Sequence, residues 1–468
     1  MGHAPTIVWL RQDLRLADHP ALAAADGPVV VAFVLDEDGP WKPGGASRWW
    51  LHHSLAALGA DLTSRGGRLV LLKGSAEREI PQLARQVNAD AVHWLRRWEP
   101  EERAREARMA EALRGLGVAP RDFPADLLFE PGTVRTKGGA PFQVFTPFWR
   151  CAMTLGPRPL PLPAPERIES PDCAELPLDE LGLMPARPWW QGMAENWQPG
   201  EAGARRRLAE VLQSGLDSYA VMRDRPDHVG TSMLSPHLAF GEISPRQVWH
   251  AAQRHPEAAG LETFLKELGW REFSHHLLAT NPDLPSKPLN PAFAAFPWAD
   301  DPLGLRAWQR GMTGFPIIDA GMRQLWQTGW MHNRVRMIVG SFLVKDLLLP
   351  WQVGEAWFWD TLLDANTAAN AASWQWIAGC GADAAPYFRV FNPVLQGEKF
   401  DPRGRYVRQW VPELAAMPDL TIHRPWEAPP HVLAQAGIRL GVTYPHPILD
   451  HGAARRRALN AYGQVKGG

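Results

Sequence analysis

The sequence predicts two domains: an α/β N-terminal domain built on a doubly wound parallel sheet, then a larger all-α domain. Three observations carry this expectation. Short β-branched runs alternate with helical patterns at the start of the chain. A Pro-rich irregular stretch follows. After Gly200 the β-branched runs nearly vanish and helical periodicity dominates. A chain of 468 residues also exceeds what one small core needs.

Strands are expected at Thr6–Leu10, Val29–Leu35, Arg68–Leu72 and Ala91–Leu95, with helix-like stretches at Arg48–Leu58 and Glu101–Leu116 between them. No GxGxxG follows the first strand, so a dinucleotide site of the usual kind is unsupported. From about Gly156 to Pro199 the text turns to PRPLPLPAPER and LPLDELGLMPARPWW, which reads as a linker rather than a packed element. Amphipathic patterns then recur at Ala204–Leu212, Leu261–Leu278, Gly321–Leu349 and Val353–Leu363. The expected division is residues 1–130, an interdomain linker over 131–199, and a helical domain over 200–468.

Composition narrows the function classes. Tryptophan is abundant, 23 against 5 Tyr. Core filling accounts for many of these rings, and the excess suits stacking on a flat ligand, on bases, or carrying electrons. The net charge of −1 gives no bulk attraction to DNA, so a nucleic-acid partner requires a local basic groove. Cys151, Cys173 and Cys380 are widely spaced and odd in number, which argues against a disulfide framework, a CxxC metal knot and a four-cysteine cluster. The adjacent pairs His52–His53 and His275–His276 lack the i, i+4 spacing of a zinc site, so no metal is expected. MGHAPTIVWLRQDLR has no apolar signal core and no run spans a membrane, so the expected location is the cytoplasm.

The helical half carries polar clusters at helical spacing. In FLKELGWREF, Glu267, Trp270 and Arg271 share one face, and an exposed salt-bridged patch is the plain alternative to a site. In MHNRVRM, Asn333, Arg336 and Met337 repeat that spacing, with Arg334 turned aside. In LLDANTAANAASWQW, Asn370 and Trp374 lie one turn apart, and Asp364 is a candidate helix cap. Polar groups this dense among apolar stretches suit a ligand cavity. Thr231–Ser235 (TSMLS), followed by Pro236, offers hydroxyls and free N–H groups that cradle phosphates, although such clusters most often cap helices.

Taken together, IVWLRQDLRLADHPAL, GTSMLSPHLAFGEISP, ELGWREF, GFPIIDAGMRQLWQTGWMHNRVRM, NAASWQWIAGCGADAAPYFRVFNPVLQGEKFD and LGVTYPHPILDH resemble the photolyase/cryptochrome family over nearly the whole chain. WWLHHSLAAL and the TYPHPILDHGAARRRAL tail look like its bacterial class III branch. The resemblance implies light-driven repair of cyclobutane pyrimidine dimers, with electrons passing from photoexcited reduced FAD to a dimer flipped out of damaged DNA. FAD would be held by Tyr219, Thr231, Ser232, Met233, Leu234, Ser235, Phe264, Arg336, Asp364, Ala365, Asn366 and Asn370, with Asn370 facing flavin N5. The lesion pocket would comprise Glu267, Trp270, Asn333, Met337 and Trp376. Trp374, Trp351 and Trp298 would carry electrons. Arg223, Arg271, Arg334, Arg389 and Lys399 would contact phosphates, with Gln396 near the opposite strand. These contacts set register without reading sequence.

By the same resemblance the antenna would be methenyltetrahydrofolate in the N-terminal cleft, with Trp50 stacking on the pterin and Glu102 hydrogen-bonding it. A monomer is expected, associated with the nucleoid when on DNA. The alternative is a cryptochrome-type photoreceptor without repair activity. Asn370, where such receptors carry Asp or Cys, weighs against it, and Met337 weighs against repair of (6-4) products. Two residues depart from the family pattern. Met233 stands where class I enzymes often have Arg, and Asn366 where Asp is usual. Asn366 is expected either to lie near the flavin's pyrimidine edge and ease formation of the anionic reduced flavin, or to contact FAD through its backbone, where Asn and Asp are interchangeable.

Overall fold

The computed structural model describes residues 4–466 except 157, 385, 386 and 388. Five parallel strands, β1 (Thr6–Leu10), β2 (Val29–Leu35), β3 (Leu69–Lys73), β4 (Ala91–Leu95) and β5 (Ala119–Phe123), form one sheet in the order β3-β2-β1-β4-β5. β1 and β2 are buried throughout, as strands covered on both faces must be. Alternate residues build two cores. Ile7, Trp9, Val30, Ala32 and Val92 face the helices Ala76–Gln86 and Pro100–Gly115, whereas Val8, Leu10, Val31 and Phe33 face the helix Gly45–Ser64.

Two strand expectations are amended. β3 begins one residue later than expected, and β5 escaped notice altogether. Its sequence APRDF is an edge strand with a largely exposed face, so no apolar run marks it.

The stretch 131–199 is more than a linker. It contains the helix Phe145–Met153, whose Phe145, Phe148 and Trp149 are buried in one core with Phe264, Leu268 and Phe273 of the long helix Leu261–Thr280. Further on, irregular chain is pinned to the α/β domain by Val29 N–H to Glu169 O (2.7 Å), Ile168 N–H to Arg65 O (2.9 Å) and Leu176 N–H to Leu71 O (3.0 Å). Ile168, Leu181 and Met193 enter the sheet's second core. Proline removed the helical signal here without removing the packing.

The expected helix Gly321–Leu349 is three pieces. Pro316–Thr328 ends at Gly329, whose φ of +68° is the left-handed cap that glycine takes without strain. The chain resumes as Asn333–Ser341, with His332 Nδ1 accepting from Arg334 N–H at 3.2 Å, and closes in one wide turn over Phe342–Asp346.

The two domains are locked by buried polar groups. Arg15 makes two 2.9 Å bonds to Asp126 and one to Gly241 O, also 2.9 Å. Asp18 receives Arg246 at 2.8 and 3.1 Å as well as the Ser244 hydroxyl. A buried charge pair of this kind sets orientation more securely than it adds stability.

Candidate active site

One wall of the helical domain gathers most of the expected site. Tyr219, on the short helix Tyr219–Met222, is buried with its ring edge-on to Phe264 at 5.2 Å. Met233 follows with φ +52°, a strained value for a side chain of its size, and packs against the sheet's second core. That turn exposes the N–H groups of Thr231 and Met233, which meet no acceptor among the described residues. Ser235 Oγ accepts from Trp330 Nε1 at 3.2 Å, a partner that no motif marks.

Below this cradle, Arg336 forms a two-pronged pair with Asp364 at 3.1 and 2.7 Å, and its Nε donates to Met331 O at 2.7 Å. The helix Thr367–Ala378 begins here, and its cap is Asn366, not Asp364. Asn366 Oδ1 accepts from Ala369 N–H at 3.0 Å. A cap of this kind is worth about 1 kcal/mol and Asp serves as well as Asn. Asn366→Ala is therefore expected to lower Tm measurably and Asn366→Asp to leave it unchanged.

Asn370, one turn on, is buried. Its Nδ2 donates to Glu355 O at 3.0 Å, which leaves Oδ1 without a donor among the described residues. The Glu355 carboxyl is 2% exposed, one of its oxygens has no partner, and burial pushes it up to about 8. A polar ligand that reached this depth would find both oxygens unpartnered.

At the mouth, Glu267 and Arg223 pair at 2.9 Å, and Asp224 pairs with Arg334 at 2.8 Å. Arg334 also lies over the Phe400 ring at 4.5 Å and reaches Met337 Sδ at 3.6 Å. Burial raises the Glu267 carboxyl, Arg223 opposes that, and Asp224 reinforces it. Asn333, Arg389 and Lys399 are exposed, and Trp376, Met337 and Gln396 are half-buried. Ala365 and Leu234 are buried beneath.

Trp270 is the largest exposed ring at this mouth, with 37% of its surface open, and it rests on Phe145 at 3.9 Å and 11°. Phe145 sits in the stretch expected to be linker, so sequence reasoning missed it. Its one signal was the aromatic run FTPFW. With one face of Trp270 backed, only the other is free to stack. Phe145→Ala is expected to cost about 0.5–1.5 kcal/mol of ligand binding through loss of that stack, while Phe145→Tyr retains it. Titration with a flat aromatic ligand or a stacked-base oligonucleotide, beside a melting curve, checks this.

Three expected residues take other roles. Arg271 is committed to Glu272 (2.9 Å) and to Asp126 O (2.9 Å), which makes it an interdomain brace rather than a free phosphate contact. Glu272 is fully enclosed, and burial carries it up to about 7 despite Arg271 and the N–H groups of Leu128 and Phe129. Trp50 is 0% exposed. It bonds Glu242 at 2.9 Å and packs against Trp197, His237 and Phe240, so neither face is free for a pterin. Glu102 is tied to Arg11 (3.0 Å) and Arg105. With Arg11–Glu106 (2.8 Å) and Arg97–Glu99 (2.5 Å), such pairs fill the crevice at the ends of β1 and β4.

Trp374 and Trp351 are buried and Trp298 half-buried, all three within or against one hydrophobic cluster. Among the described residues no cluster of His, Cys, Asp and Glu could hold a metal, and no helix is long and apolar enough to cross a membrane.

A family model described as DNA photolyase matches residues 6–166, and one described as FAD binding domain of DNA photolyase matches 264–464. A deoxyribodipyrimidine photo-lyase of Agrobacterium fabrum is 50% identical over 99% of this chain and 98% of its own length. Cryptochrome-1 of Arabidopsis thaliana is 40% identical over 98% of this chain and 70% of its own. The crystal structure of a bacterial class III photolyase from Agrobacterium tumefaciens superposes with a TM-score of 0.97 at 49% identity, covering 100% of this chain and 99% of that one. The chain belongs to the DNA photolyase/cryptochrome family.

Proposed function

We infer that the protein is an FAD-dependent, light-driven lyase that splits cyclobutane pyrimidine dimers in UV-damaged DNA. The observation that carries this reading is one wall holding a phosphate cradle (Tyr219, Thr231–Ser235), the Arg336–Asp364 pair, and an inward amide at Asn370 beneath a mouth of Trp270, Glu267 and arginines. Bound FAD supplies the photoexcited electron. The residues fit it. Free N–H groups would suit a diphosphate, the guanidinium of Arg336 would offer positive charge to the flavin, and Asn370 Oδ1 is left to accept a hydrogen bond from it.

A dimer must leave the base stack to reach such depth. The open face of Trp270, with Trp376 and Met337, gives it apolar cover, while Glu267 and Asn333 offer polar contacts to its carbonyls. Arg223, Arg334, Arg389, Lys399 and Gln396 line the rim for phosphate contacts. Trp374, Trp351 and Trp298 run from buried to half-exposed, the order an electron path from the surface requires. The test is direct. Purified, reduced protein under near-UV light should remove dimers from UV-irradiated oligothymidine, and protein that holds FAD yet leaves the dimers intact in light defeats the reading in favour of a photoreceptor.

The antenna belongs elsewhere than Trp50 and Glu102. A groove of about 1120 Å³ is lined by Trp189, Trp326, Trp357 and Trp410. Trp326 lies 6.3 Å and 27° from Trp189, and 6.1 Å and 8° from Trp357, so flat ring faces border the space. Arg306 and Arg310, one turn apart on the helix Pro302–Arg310, stand exposed at its edge. A conjugated ring with a carboxylate tail, as in a folate, matches both features. Trp326→Ala is expected to release a near-UV chromophore of folate mass while FAD stays bound, and retention of that chromophore places the antenna at another site.

A further inference from the structure

We propose that Arg223 exchanges Glu267 for a backbone phosphate when damaged DNA binds, and that Glu267 takes up one proton from solvent in the same event. The proposal rests on the functional reading above and adds a coupling between the rim and the pocket.

The geometry is a pair of neighbours, Arg223 and Asp224, each engaged with an opposite charge. Arg223 Nη2 meets Glu267 Oε2 at 2.9 Å, and Asp224 Oδ1 meets Arg334 Nη2 at 2.8 Å. Both arginines are therefore neutralised by carboxylates in the free protein. The arginine side chains are 25% and 20% exposed, open enough to be recruited without unfolding anything. Arg223 is the one donor to Glu267 among the described residues.

Removing that donor leaves a carboxylate that is 32% exposed in the free protein and that a DNA strand seated on the mouth would cover further, with the like charge of Asp224 beside it, and both desolvation and like charge favour the neutral form. The other surrounding groups do not compensate. Tyr219, on the facing short helix, stays neutral because burial pushes its hydroxyl up. The packed helix Thr367–Ala378 carries no ionisable side chain. On the helix Pro245–Ala252, Arg246 is held by Asp18 and His250 by Pro159 O, and on Phe145–Met153 Arg150 is exposed. On its own helix, Lys266 pairs with exposed Glu262, Arg271 with Glu272, and His275 and His276 are held neutral by burial. His332, beyond Asp224, is lowered by burial to about 4.

The balance is simple. The Arg223–Glu267 pair, neutral overall, becomes an Arg223–phosphate pair and a neutral carboxyl, and one proton leaves the solvent. The neutral carboxyl is a donor as well as an acceptor, so the O–H that would meet a pyrimidine carbonyl appears only once a phosphate is in place.

The experiment titrates FAD-loaded protein, in the dark, with an oligonucleotide carrying one thymine dimer. Calorimetry in two buffers of different ionisation heat counts protons between pH 6 and 9. Wild type should show net uptake and affinity that weakens with rising pH, by at most about tenfold per unit for one linked proton. Glu267→Gln should bind with no uptake and a flat pH profile. Arg223→Gln should show less uptake than wild type, because its Glu267 no longer gives up a guanidinium partner on binding, and its salt slope should fall by about one. A carboxylic C=O band should appear in the infrared difference spectrum of wild type on binding and be missing in Glu267→Gln. Uptake that persists in Glu267→Gln, or wild-type binding with no uptake, overturns the coupling alone. Failure of dimer DNA to bind at all overturns the functional reading instead.

Discussion

Replacing Trp374 by Phe is expected to slow photoreduction of oxidised flavin by an order of magnitude or more and to leave dimer repair by chemically reduced protein close to normal. Trp374 sits four residues after Asn370 on one helix, so both address the same interior space. Its ring is 3% exposed, edge-on to Phe358 at 5.0 Å and to Trp308 at 6.4 Å. Gly354 lies beneath it, where an added Cβ would come within 2.1 Å of the indole. Such packing fixes the ring rigidly, as a redox group and a core residue both require. Phe separates them. It keeps most of the ring volume, so the destabilisation should stay well under the ~3–5 kcal/mol of truncation to Ala. A benzene ring is much harder to oxidise than an indole. Flavin bleaching under blue light with an external reductant, measured beside repair of oligothymidine by dithionite-reduced protein, reads the two apart. Equal loss of both assigns Trp374 to packing.

Where sequence reasoning succeeded and failed follows from which physical signals are local. β1, β2 and β4 were legible because strands buried on both faces must be continuous apolar runs, whereas the exposed edge strand β5 carries no such run. Helical spacing placed Glu267 with Trp270 and Asn370 with Trp374. What spacing leaves open is the partner across the fold. Arg271 looked like a rim cation until Glu272 and Asp126 O were seen to hold it. Trp50 looked like a stacking ring until the helical domain's Phe240 and His237 were seen to cover it. Phe145 looked like linker because proline and irregular chain surround it, although its ring supports Trp270. Each error concerns a contact more than one hundred residues away in sequence, except for Glu272 beside Arg271, where a charge alternation on one turn hid a buried carboxylate.

Asp364→Ala should produce the largest loss of stability and of cofactor together. The carboxylate is 4% exposed and takes both terminal nitrogens of Arg336, at 3.1 and 2.7 Å, while Arg336 Nε holds Met331 O. Leu363 N–H bonds Gly329 O at 2.7 Å, so the loop bearing Asp364 is fastened to the end of the helix Pro316–Thr328. Truncating the acid strands a guanidinium that is only 24% exposed. Breaking a buried pair from one side costs about 3–5 kcal/mol, and partial exposure of Arg336 puts this case near the lower figure. Asp364→Asn preserves the shape and one acceptor but removes the charge, so its loss of stability should be smaller. If Asp364 acts through the flavin site, both variants should purify with little FAD, and excess FAD should raise the Tm of Asp364→Asn, since a ligand at a hundredfold its Kd returns about 2.7 kcal/mol. Melting curves with and without added FAD, alongside FAD content, decide it. A variant that is destabilised yet binds FAD normally would make the Arg336–Asp364 pair a structural clasp, and the flavin would then have to be held without it.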